Sequence, residues 1–249
     1  MVGPGVTDLP DPLDPPPFDA RSFDRRLEEV RRRIGSVSLD PSSVRVVAVT
    51  KGFPVGAVAA ALAGGLRDIG ENYADELVAK AAAMDPAGVA GPAPVWHFLG
   101  AVQRNKVARL APVVGWWQGV SRVEEGRAIA RRHPGARVLV QVDVAGLPGR
   151  GGCPPGGVAE LVAALSDLDL EVAGLMAVGP PGPPEASRAG FATVSSLADS
   201  LDLAVRSMGM SDDLEVALSE GSTMVRLGRA LFGERAPRAA SPGPPAGTA

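Results

Sequence analysis

The spacing of apolar residues predicts an amphipathic helix at the start of the folded region. Between Phe18 and Ile34, apolar side chains recur three and four positions apart at Phe23, Leu27 and Val30. Charged residues fill the positions between them. This period is that of a helix with one buried face.

After this helix, apolar β-branched runs alternate with helix-like segments. The run VRVVAVT at residues 44–50 is typical of a strand that is buried on both faces. The predicted strands, each followed by a helical pattern, are Val44–Thr50, Arg67–Gly70, Val95–Leu99, Trp116–Val120, Arg137–Val144, Glu171–Val178, Arg206–Met208 and Thr223–Leu227.

Strict alternation over eight units predicts an α/β fold in which a parallel sheet closes into a single (β/α)8 barrel of the TIM type, with an extra N-terminal helix. The alternative is an open, doubly wound sheet. That fold commonly has a Gly-x-Gly-x-x-Gly turn after its first strand, and none follows residue 50, which favours the barrel.

Composition sets the expected domain limits. The chain has 249 residues, of which 45% are hydrophobic, enough to bury one sizeable core. Pro/Gly/Ala-rich segments at both ends predict disordered tails at 1–17 and 237–249, around one domain at 18–236.

Charge and cysteine usage limit the expected partners and the expected cellular compartment. The formal net charge is −3 with the two signs interspersed, which argues against nucleic acid as a partner. We expect neither a signal peptide nor a membrane-spanning segment. The single cysteine, Cys153, suits a reducing cytoplasm, and no nearby residue would activate its thiol.

Candidate functional residues lie where the predicted strands end, because barrels of this type bind their ligands at the C-terminal ends of the strands. We find no nucleophile triad, metal cluster or Walker loop in the sequence. The strand ends lie at residues 50–51, 70–73, 207–213 and 226–229, and the candidates there include Lys51, Asn72, Ser211, Arg226, Gly228 and Arg229.

Position alone leaves two interpretations of Lys51. A lysine that ends a buried strand is partly desolvated, which lowers the pKa of its amine as a Schiff-base lysine requires. The alternative is a lysine whose stem lies on apolar surface while its ammonium reaches solvent.

Ser211 and Arg226 also have a ligand-binding and a structural interpretation. Ser211 is a candidate N-cap of the next helix, whose first amides could either bind an anion or simply be capped, with Asp212 and Asp213 facing solvent. Arg226 lies in an apolar strand and needs a partner, either an ion pair or a ligand. The loops after strands seven and eight often bind phosphate, which favours the ligand for Arg226. His97 is expected to be a hydrogen-bonded core residue.

Five segments together resemble the pyridoxal phosphate homeostasis proteins, which look like the barrel domain of alanine racemase standing alone. They appear in the expected order from Val44 to Arg235. The segments are VAVTKGFP around Lys51, RDIGENYADEL from Arg67, WHFLGAVQRNKV from Trp96, GLMAV from Gly174 and RSMGMSDDLEVALSEGSTMVRLGRALFGER from Arg206.

The resemblance implies a cofactor, and it implies a role for six of the strand-end residues. It implies that Lys51 holds pyridoxal 5′-phosphate (PLP) as a Schiff base, that Ser211 is a phosphate ligand and that Arg226 faces the pyridine nitrogen. The other residues implied are Asn72 in the pocket wall and the backbone amides of Gly228 and Arg229 at the phosphate.

An arginine at the ring nitrogen would limit the chemistry. Because arginine only donates, the nitrogen opposite Arg226 must accept a hydrogen bond and stay unprotonated. An unprotonated ring is a weaker electron sink than a pyridinium. The implied site therefore favours holding PLP over fast turnover.

The expected function is a non-catalytic PLP-binding protein in intracellular PLP homeostasis and delivery, with PLP-dependent apo-enzymes as recipients. The alternative is an amino-acid racemase, which needs an acid–base group on each face of its substrate. In the resembling racemases the opposite tyrosine comes from a second domain, for which no length remains here, and Tyr73 is not an obvious substitute. Without that domain we expect a monomer. A barrel enzyme acting on a small molecule without PLP is a third possibility.

The chain departs from the family's usual pattern in three places. Ala101 follows Gly100 where Gly-His is usual, and Gln118-Gly119 replaces a frequent His-Ser pair. Arg150 stands where lysine is common. We expect these changes to alter the rim of the pocket rather than the cofactor site.

Overall fold

Eight parallel strands close into one barrel, and strands that follow one another along the chain are neighbours in the sheet. The computed structural model describes residues 19–84, 93–147 and 151–234. The predicted (β/α)8 barrel is confirmed. The strands are β1 (Arg45–Val49), β2 (Asp68–Glu71), β3 (Val95–Phe98), β4 (Val114–Val120), β5 (Arg137–Val142), β6 (Glu171–Ala177), β7 (Val205–Ser207) and β8 (Met224–Leu227).

Helices surround this sheet, and one of them precedes β1, as predicted. Short 3-10 helices at Pro41–Ser43, Pro155–Gly157 and Pro184–Ser187 join some elements. Within the described ranges the α-helices are α1 (Ala20–Gly35), α2 (Val55–Ala63), α3 (Ala74–Ala83), α4 (Val107–Leu110), α5 (Val123–Ala130), α6 (Val158–Ser166), α7 (Arg188–Ser200), α8 (Leu214–Ser219) and α9 (Arg229–Phe232).

Helix α1 begins with a side-chain cap and packs on α9, the last helix among the described residues. The carboxylate of Asp19 accepts a hydrogen bond from the backbone N–H of Arg21 at 3.1 Å. The predicted apolar face is buried, and the ring of Phe23 stacks on Phe232 in α9 with centroids 5.5 Å apart. Helix α1 therefore covers the barrel next to the strand that closes it.

The inside of the barrel is apolar in part. Inward-facing side chains form a cluster separate from the shell between strands and helices. Arg45 and Arg137, the first residues of β1 and β5, both lie over the ring of Trp116, 5.3 Å and 5.4 Å from its centroid. The buried members of the inner cluster are Val47, Trp116, Leu139, Met176 and Met224.

The loop after β7 differs from the prediction. The N-cap of α8 is Asp213 rather than Ser211, and Asp213 is buried instead of facing solvent. Its carboxylate accepts hydrogen bonds from the backbone N–H of Met210 at 2.7 Å and from the hydroxyl of Ser187 at 3.1 Å. Asp213 therefore folds the loop back on itself, which releases Ser211 from the cap position.

Some predictions fall outside the described ranges or remain untested. The predicted tails at 1–17 and 237–249 and the departure at Arg150 lie outside the described residues. The limits 18–236 for the domain stay a prediction. Among the described helices, none is both long enough and apolar enough to span a bilayer.

Candidate cofactor site

All six strand-end candidates line one cavity of about 340 Å³ at the C-terminal mouth of the barrel. The apolar part of its wall comes from strand ends and from Met210. The lining residues are Val49, Lys51, Asn72, Leu99, Met176, Val178, Met210, Ser211, Asp212, Arg226, Gly228 and Arg229.

A larger cavity of about 420 Å³ lies at the other end, where β1 and β2 begin. None of the predicted site residues lines it. Since ligands of these barrels bind where the strands end, size does not decide between the two cavities, and the C-terminal one is the candidate site.

Lys51 is carried by a tight turn, Thr50–Phe53, which we call the Lys51 turn. The backbone N–H of Phe53 donates to the carbonyl of Thr50 at 3.0 Å, so Lys51 is the second of four turn residues. Gly52 has a φ of 73°, a left-handed conformation that favours glycine. The sequence Thr-Lys-Gly-Phe thus fixes the direction in which Lys51 leaves β1.

A buried lysine that sequence reasoning missed lies behind this turn. The ammonium of Lys80 in α3 donates to the carbonyl of Thr50 at 2.7 Å, to Glu71 at 2.6 Å and to Glu76 at 2.7 Å. Glu76 also accepts from the backbone N–H of Gly52 at 2.6 Å, and Glu71 accepts from the hydroxyl of Thr50 at 2.6 Å. We call Glu71, Glu76 and Lys80 the Lys80 cluster.

Burial raises the pKa of the Glu71 carboxyl, and Lys80 and Thr50 oppose that rise. Its Oε1 atom carries both hydrogen bonds, whereas Oε2 is buried without a hydrogen-bond partner among the described residues. The carboxylate is therefore held from one side only.

Asn72 carries an unsatisfied polar atom next to the candidate site. Its Oδ1 atom is buried and has no hydrogen-bond partner among the described residues. Asn72 lines the candidate cavity and also a neighbouring one of about 380 Å³. A buried amide oxygen without a donor is costly, so this atom indicates a place for a ligand.

Glycines let the residues after β2, the residues after β3 and the end of β4 approach closely. A Cβ atom on Gly100 would lie 2.2 Å from the carbonyl oxygen of Asn72, and one on Gly119 would lie 2.5 Å from the carbonyl oxygen of Gly100. A side chain at position 119 would disturb this packing, so glycine fits there.

The opposite wall of the cavity is built from the loops after β7 and β8. The hydroxyl oxygen of Ser211 accepts from the backbone N–H of Ala230 at 3.0 Å, which joins the two loops. Arg229 forms a salt bridge with Asp212 at the rim. Arg33 of α1 donates to the carbonyl of Ser211 at 3.0 Å, so the N-terminal helix also holds this wall.

Arg226 is buried between strands and lines the floor of the cavity. Its Nη1 donates to the carbonyl of Ser207 at 2.5 Å and to the Ser207 hydroxyl at 2.8 Å, and its Nη2 donates to the carbonyl of Ala177 at 2.7 Å. Burial lowers the pKa of Arg226 to about 10, so the guanidinium is still protonated at neutral pH. These three bonds use three of the five N–H donors of an arginine.

Comparison with known proteins places the chain in a family. Residues 19–236 match the family model described as alanine racemase, N-terminal domain. The pyridoxal phosphate homeostasis protein of Pseudomonas aeruginosa is 37% identical over 224 residues, which cover 87% of this chain and 95% of that protein. The chain belongs to the pyridoxal phosphate homeostasis protein family.

Solved structures agree with this family. The structure of PipY from Synechococcus elongatus PCC7942 with PLP bound is 30% identical in sequence and matches with a TM-score of 0.72. The match covers 85% of this chain and 100% of the PipY chain. Alanine racemase from Corynebacterium glutamicum is 17% identical with a TM-score of 0.63 and shares the fold, over 88% of this chain and 62% of the racemase.

A line of hydrogen bonds leads from Arg226 through the inside of this family member's barrel. The Ser207 hydroxyl, which accepts from Arg226, donates to Oε1 of Gln118 at 2.7 Å. The Nε2 of Gln118 donates to Nδ1 of His97 at 2.7 Å, and Nε2 of His97 lies 2.8 Å from Asp68. The line joins the candidate cavity to the start of β2.

The direction of these bonds fixes the tautomer of His97. Since the Gln118 amide nitrogen can only donate, Nδ1 accepts and the ring proton is on Nε2, facing Asp68. Burial lowers the pKa of His97, which favours the neutral ring, against the effect of Asp68. The prediction of a hydrogen-bonded core histidine is confirmed. The expectation that the change at Gln118 alters the rim of the pocket is wrong, because Gln118 is buried inside the barrel between His97 and Ser207 and does not line the cavity.

Within the described ranges, no three His, Cys, Asp or Glu residues are grouped so as to hold a metal ion. Cys153 is buried, and burial raises the pKa of its thiol. A raised pKa keeps the thiol protonated and unreactive, in agreement with the expected passive role.

Proposed function

We propose that this chain binds PLP in the candidate cavity and holds it as a Schiff base on Lys51, and that it serves PLP homeostasis and delivery without strong catalytic turnover. The observation that carries the proposal is that Lys51, Arg226 and Ser211 line one cavity. The family, and the PLP-bound structure of its member PipY, support the same cofactor.

The residues in this cavity fit the cofactor chemically. PLP brings an aldehyde that condenses with a lysine amine, forming a C=N bond and releasing one water, and Lys51 is the only lysine among the lining residues. The buried Oδ1 of Asn72, which lacks a donor among the described residues, matches a ligand that carries a hydroxyl group.

The wall formed by the loops after β7 and β8 fits the phosphate. Ser211 can donate its hydroxyl proton to an anion while its oxygen accepts from the amide of Ala230. The backbone amides of Gly228 and Arg229 lie in the same wall and are proposed to complete the phosphate site. The salt bridge to Arg229 offsets the charge of Asp212 at the rim.

The charge and contacts of Arg226 favour the holding of PLP over catalytic turnover of a substrate. As a protonated donor, it requires the ring nitrogen opposite to remain an acceptor, which makes the bound ring a weak electron sink. Its bonds to two backbone carbonyls keep it fixed. The site is therefore suited to reversible capture and release of PLP.

Racemase activity is the alternative that the site supports less well. Two-base racemisation needs a second acid–base group opposite Lys51. Among the described residues that line the cavity there is no tyrosine, histidine or cysteine, and Asp212 is engaged by Arg229. Tyr73 lines the neighbouring cavity instead.

The proposal also includes three further points: the protein delivers PLP to PLP-dependent apo-enzymes, it is a monomer, and it is located in the cytoplasm.

The proposal is tested by adding PLP to the purified protein and to its Lys51→Ala variant. We expect a visible Schiff-base band in the wild type only, and after borohydride reduction a phosphopyridoxyl label on the peptide that contains Lys51. Lys106→Ala is the control, because Lys106 lies outside the cavity and pairs with Asp75. A band of equal strength in Lys51→Ala would contradict the proposal.

The protein loaded with PLP can be used to distinguish PLP binding from catalytic turnover of an amino acid. Incubated with L-alanine, it is expected to yield no D-alanine beyond the rate seen with free PLP. Chiral chromatography of the product measures this, and sustained D-alanine formation that disappears in Lys51→Ala would favour the racemase alternative.

A further inference from the structure

The Lys80 cluster binds the Lys51 turn on both sides of Lys51. The residue before Lys51, Thr50, gives its carbonyl to Lys80 and its hydroxyl to Glu71. The residue after it, Gly52, gives its amide to Glu76. Three hydrogen bonds of 2.6–2.7 Å thus tie the turn to the cluster.

The burial of this cluster is unusual for charged side chains. The side chain of Lys80 is 7% exposed and that of Glu71 is fully buried, with Glu76 at 24%. Burying charges costs free energy that their mutual attraction only partly offsets, and apolar side chains in such places often give equal stability. General stability is therefore a weak reason for a cluster that contacts this turn.

The same cluster reaches the other polar wall of the cavity. Glu71 ends β2 and is followed directly by Asn72, whose carbonyl oxygen packs under Gly100. The bond from the Thr50 hydroxyl to Glu71 adds to the backbone bond from the Thr50 N–H to the Gly70 carbonyl at 3.0 Å, and together they fix the Lys51 turn against the strand end that carries Asn72. The cluster therefore contacts the two chain segments that carry Lys51 and Asn72.

We propose that Lys80, with Glu71 and Glu76, is a positioning cluster that holds the Lys51 turn in the conformation from which Lys51 enters the cofactor cavity. The inference rests on the proposed function, since it assigns a positioning role toward the lysine proposed to hold PLP. The cluster does not touch the cofactor itself. It acts through the backbone on either side of Lys51.

Replacing Glu76 tests this role with little risk to folding, because the side chain is partly exposed. Glu76→Ala removes the acceptor of the Gly52 amide, and we expect the affinity for PLP and the rate of band formation each to fall about tenfold. Glu76→Gln keeps an oxygen that can accept from Gly52, and we expect it to restore most of the wild-type rate.

A matched control exists at the turn after β4. Glu125 is buried and accepts from the backbone amides of Ser121 and Arg122 at 2.7 Å and 3.2 Å, as Glu76 does for Gly52. Glu125→Ala should lower the melting temperature of the PLP-free protein at least as much as Glu76→Ala. It should leave PLP affinity and band formation unchanged, since its turn does not line the cavity.

A second variant tests the lysine without leaving a buried charge alone. Lys80→Met removes the ammonium that binds the Thr50 carbonyl, and Glu71→Gln, added to it, removes the negative charge of the carboxylate that paired with this ammonium. We expect at least a tenfold slower band formation from this double variant.

The outcomes separate this inference from the proposed function. If the wild type forms a Lys51-dependent band and both Glu76→Ala and the double variant form it at the wild-type rate, the positioning role is wrong and the function stands. If Glu125→Ala slows the band as much as Glu76→Ala does, the effect is general destabilisation and the inference again fails. If the wild type forms no such band, it is the proposed function that fails.

Discussion

The Lys80→Met variant is expected to lose about 3–5 kcal/mol of unfolding free energy at neutral pH. The substitution leaves the buried carboxylate of Glu71 without its cation and the carbonyl of Thr50 without one of its donors. Removing one member of a buried ion pair is costly because the remaining charge stays desolvated. Urea unfolding of the PLP-free protein measures the loss.

The pH dependence of this loss gives a sharper test. Burial already raises the pKa of Glu71, and the variant lacks the Lys80 charge that opposes the rise. A carboxyl with a raised folded-state pKa destabilises the protein above that pKa, and the destabilisation disappears as pH falls through it. The deficit of the variant relative to wild type should therefore shrink between about pH 8 and about pH 5.

Adding Glu71→Gln to Lys80→Met should remove this pH dependence, because no carboxyl is left to titrate at that position. A deficit that is the same at both pH values, or below about 1 kcal/mol, would contradict the assignment of Glu71 as the buried charge that Lys80 neutralises.

The Gly100→Ala variant is expected to lose about 3 kcal/mol of stability and at least tenfold in PLP affinity. Its Cβ would lie 2.2 Å from the carbonyl oxygen of Asn72, and the obstructing atom is backbone, which cannot rotate away. The strand end that carries Asn72 must shift, and with it one wall of the cavity. Thermal unfolding and PLP titration measure the two effects.

Gly56→Ala in α2 is the matched control, since a Cβ at Gly56 would meet no atom within 4 Å. Alanine favours a helix interior over glycine by about 0.5–1 kcal/mol, so this variant should be as stable as wild type or more stable, with unchanged PLP affinity. Wild-type binding by Gly100→Ala would show that the close approach of these loops is not needed for the site.

Much of this architecture could be predicted from the sequence because the signals are local. Strands buried on both faces give continuous apolar runs such as residues 44–50, and eight of them alternating with helices favour a closed barrel. A barrel brings all strand ends to one mouth, so residues as distant as Lys51 and Arg226 could be placed together.

The Lys80 cluster could not be predicted in this way. In the sequence ADELVAKAAA, Glu76 and Lys80 form an i,i+4 pair like many on exposed helix faces. Their burial results from packing α3 against the Lys51 turn, which no local pattern encodes. The available signal was the spacing of Glu76 and Lys80 from Glu71, which lies within the GENY segment.

The cap of α8 was predicted wrongly for a related reason. Ser211 and Asp213 are both good N-cap residues, and local sequence does not choose between them. Contacts with residues far away in the sequence decide which of the two is the N-cap, because Asp213 accepts from the hydroxyl of Ser187 and Ser211 accepts from the amide of Ala230.

The hydrogen-bond line inside the barrel makes the molecule electrically asymmetric along the barrel axis. Its end at the cavity is the protonated guanidinium of Arg226, and its end at the opposite mouth is the carboxylate of Asp68. Each group donates toward Asp68, so the bond dipoles between the two ends have their positive poles on the Asp68 side and reduce this asymmetry, but the full charges at the ends decide its sign. An anionic phosphate ester is therefore attracted to the cavity before it makes any contact, whereas a polyamine is repelled, and the preference weakens as salt is added.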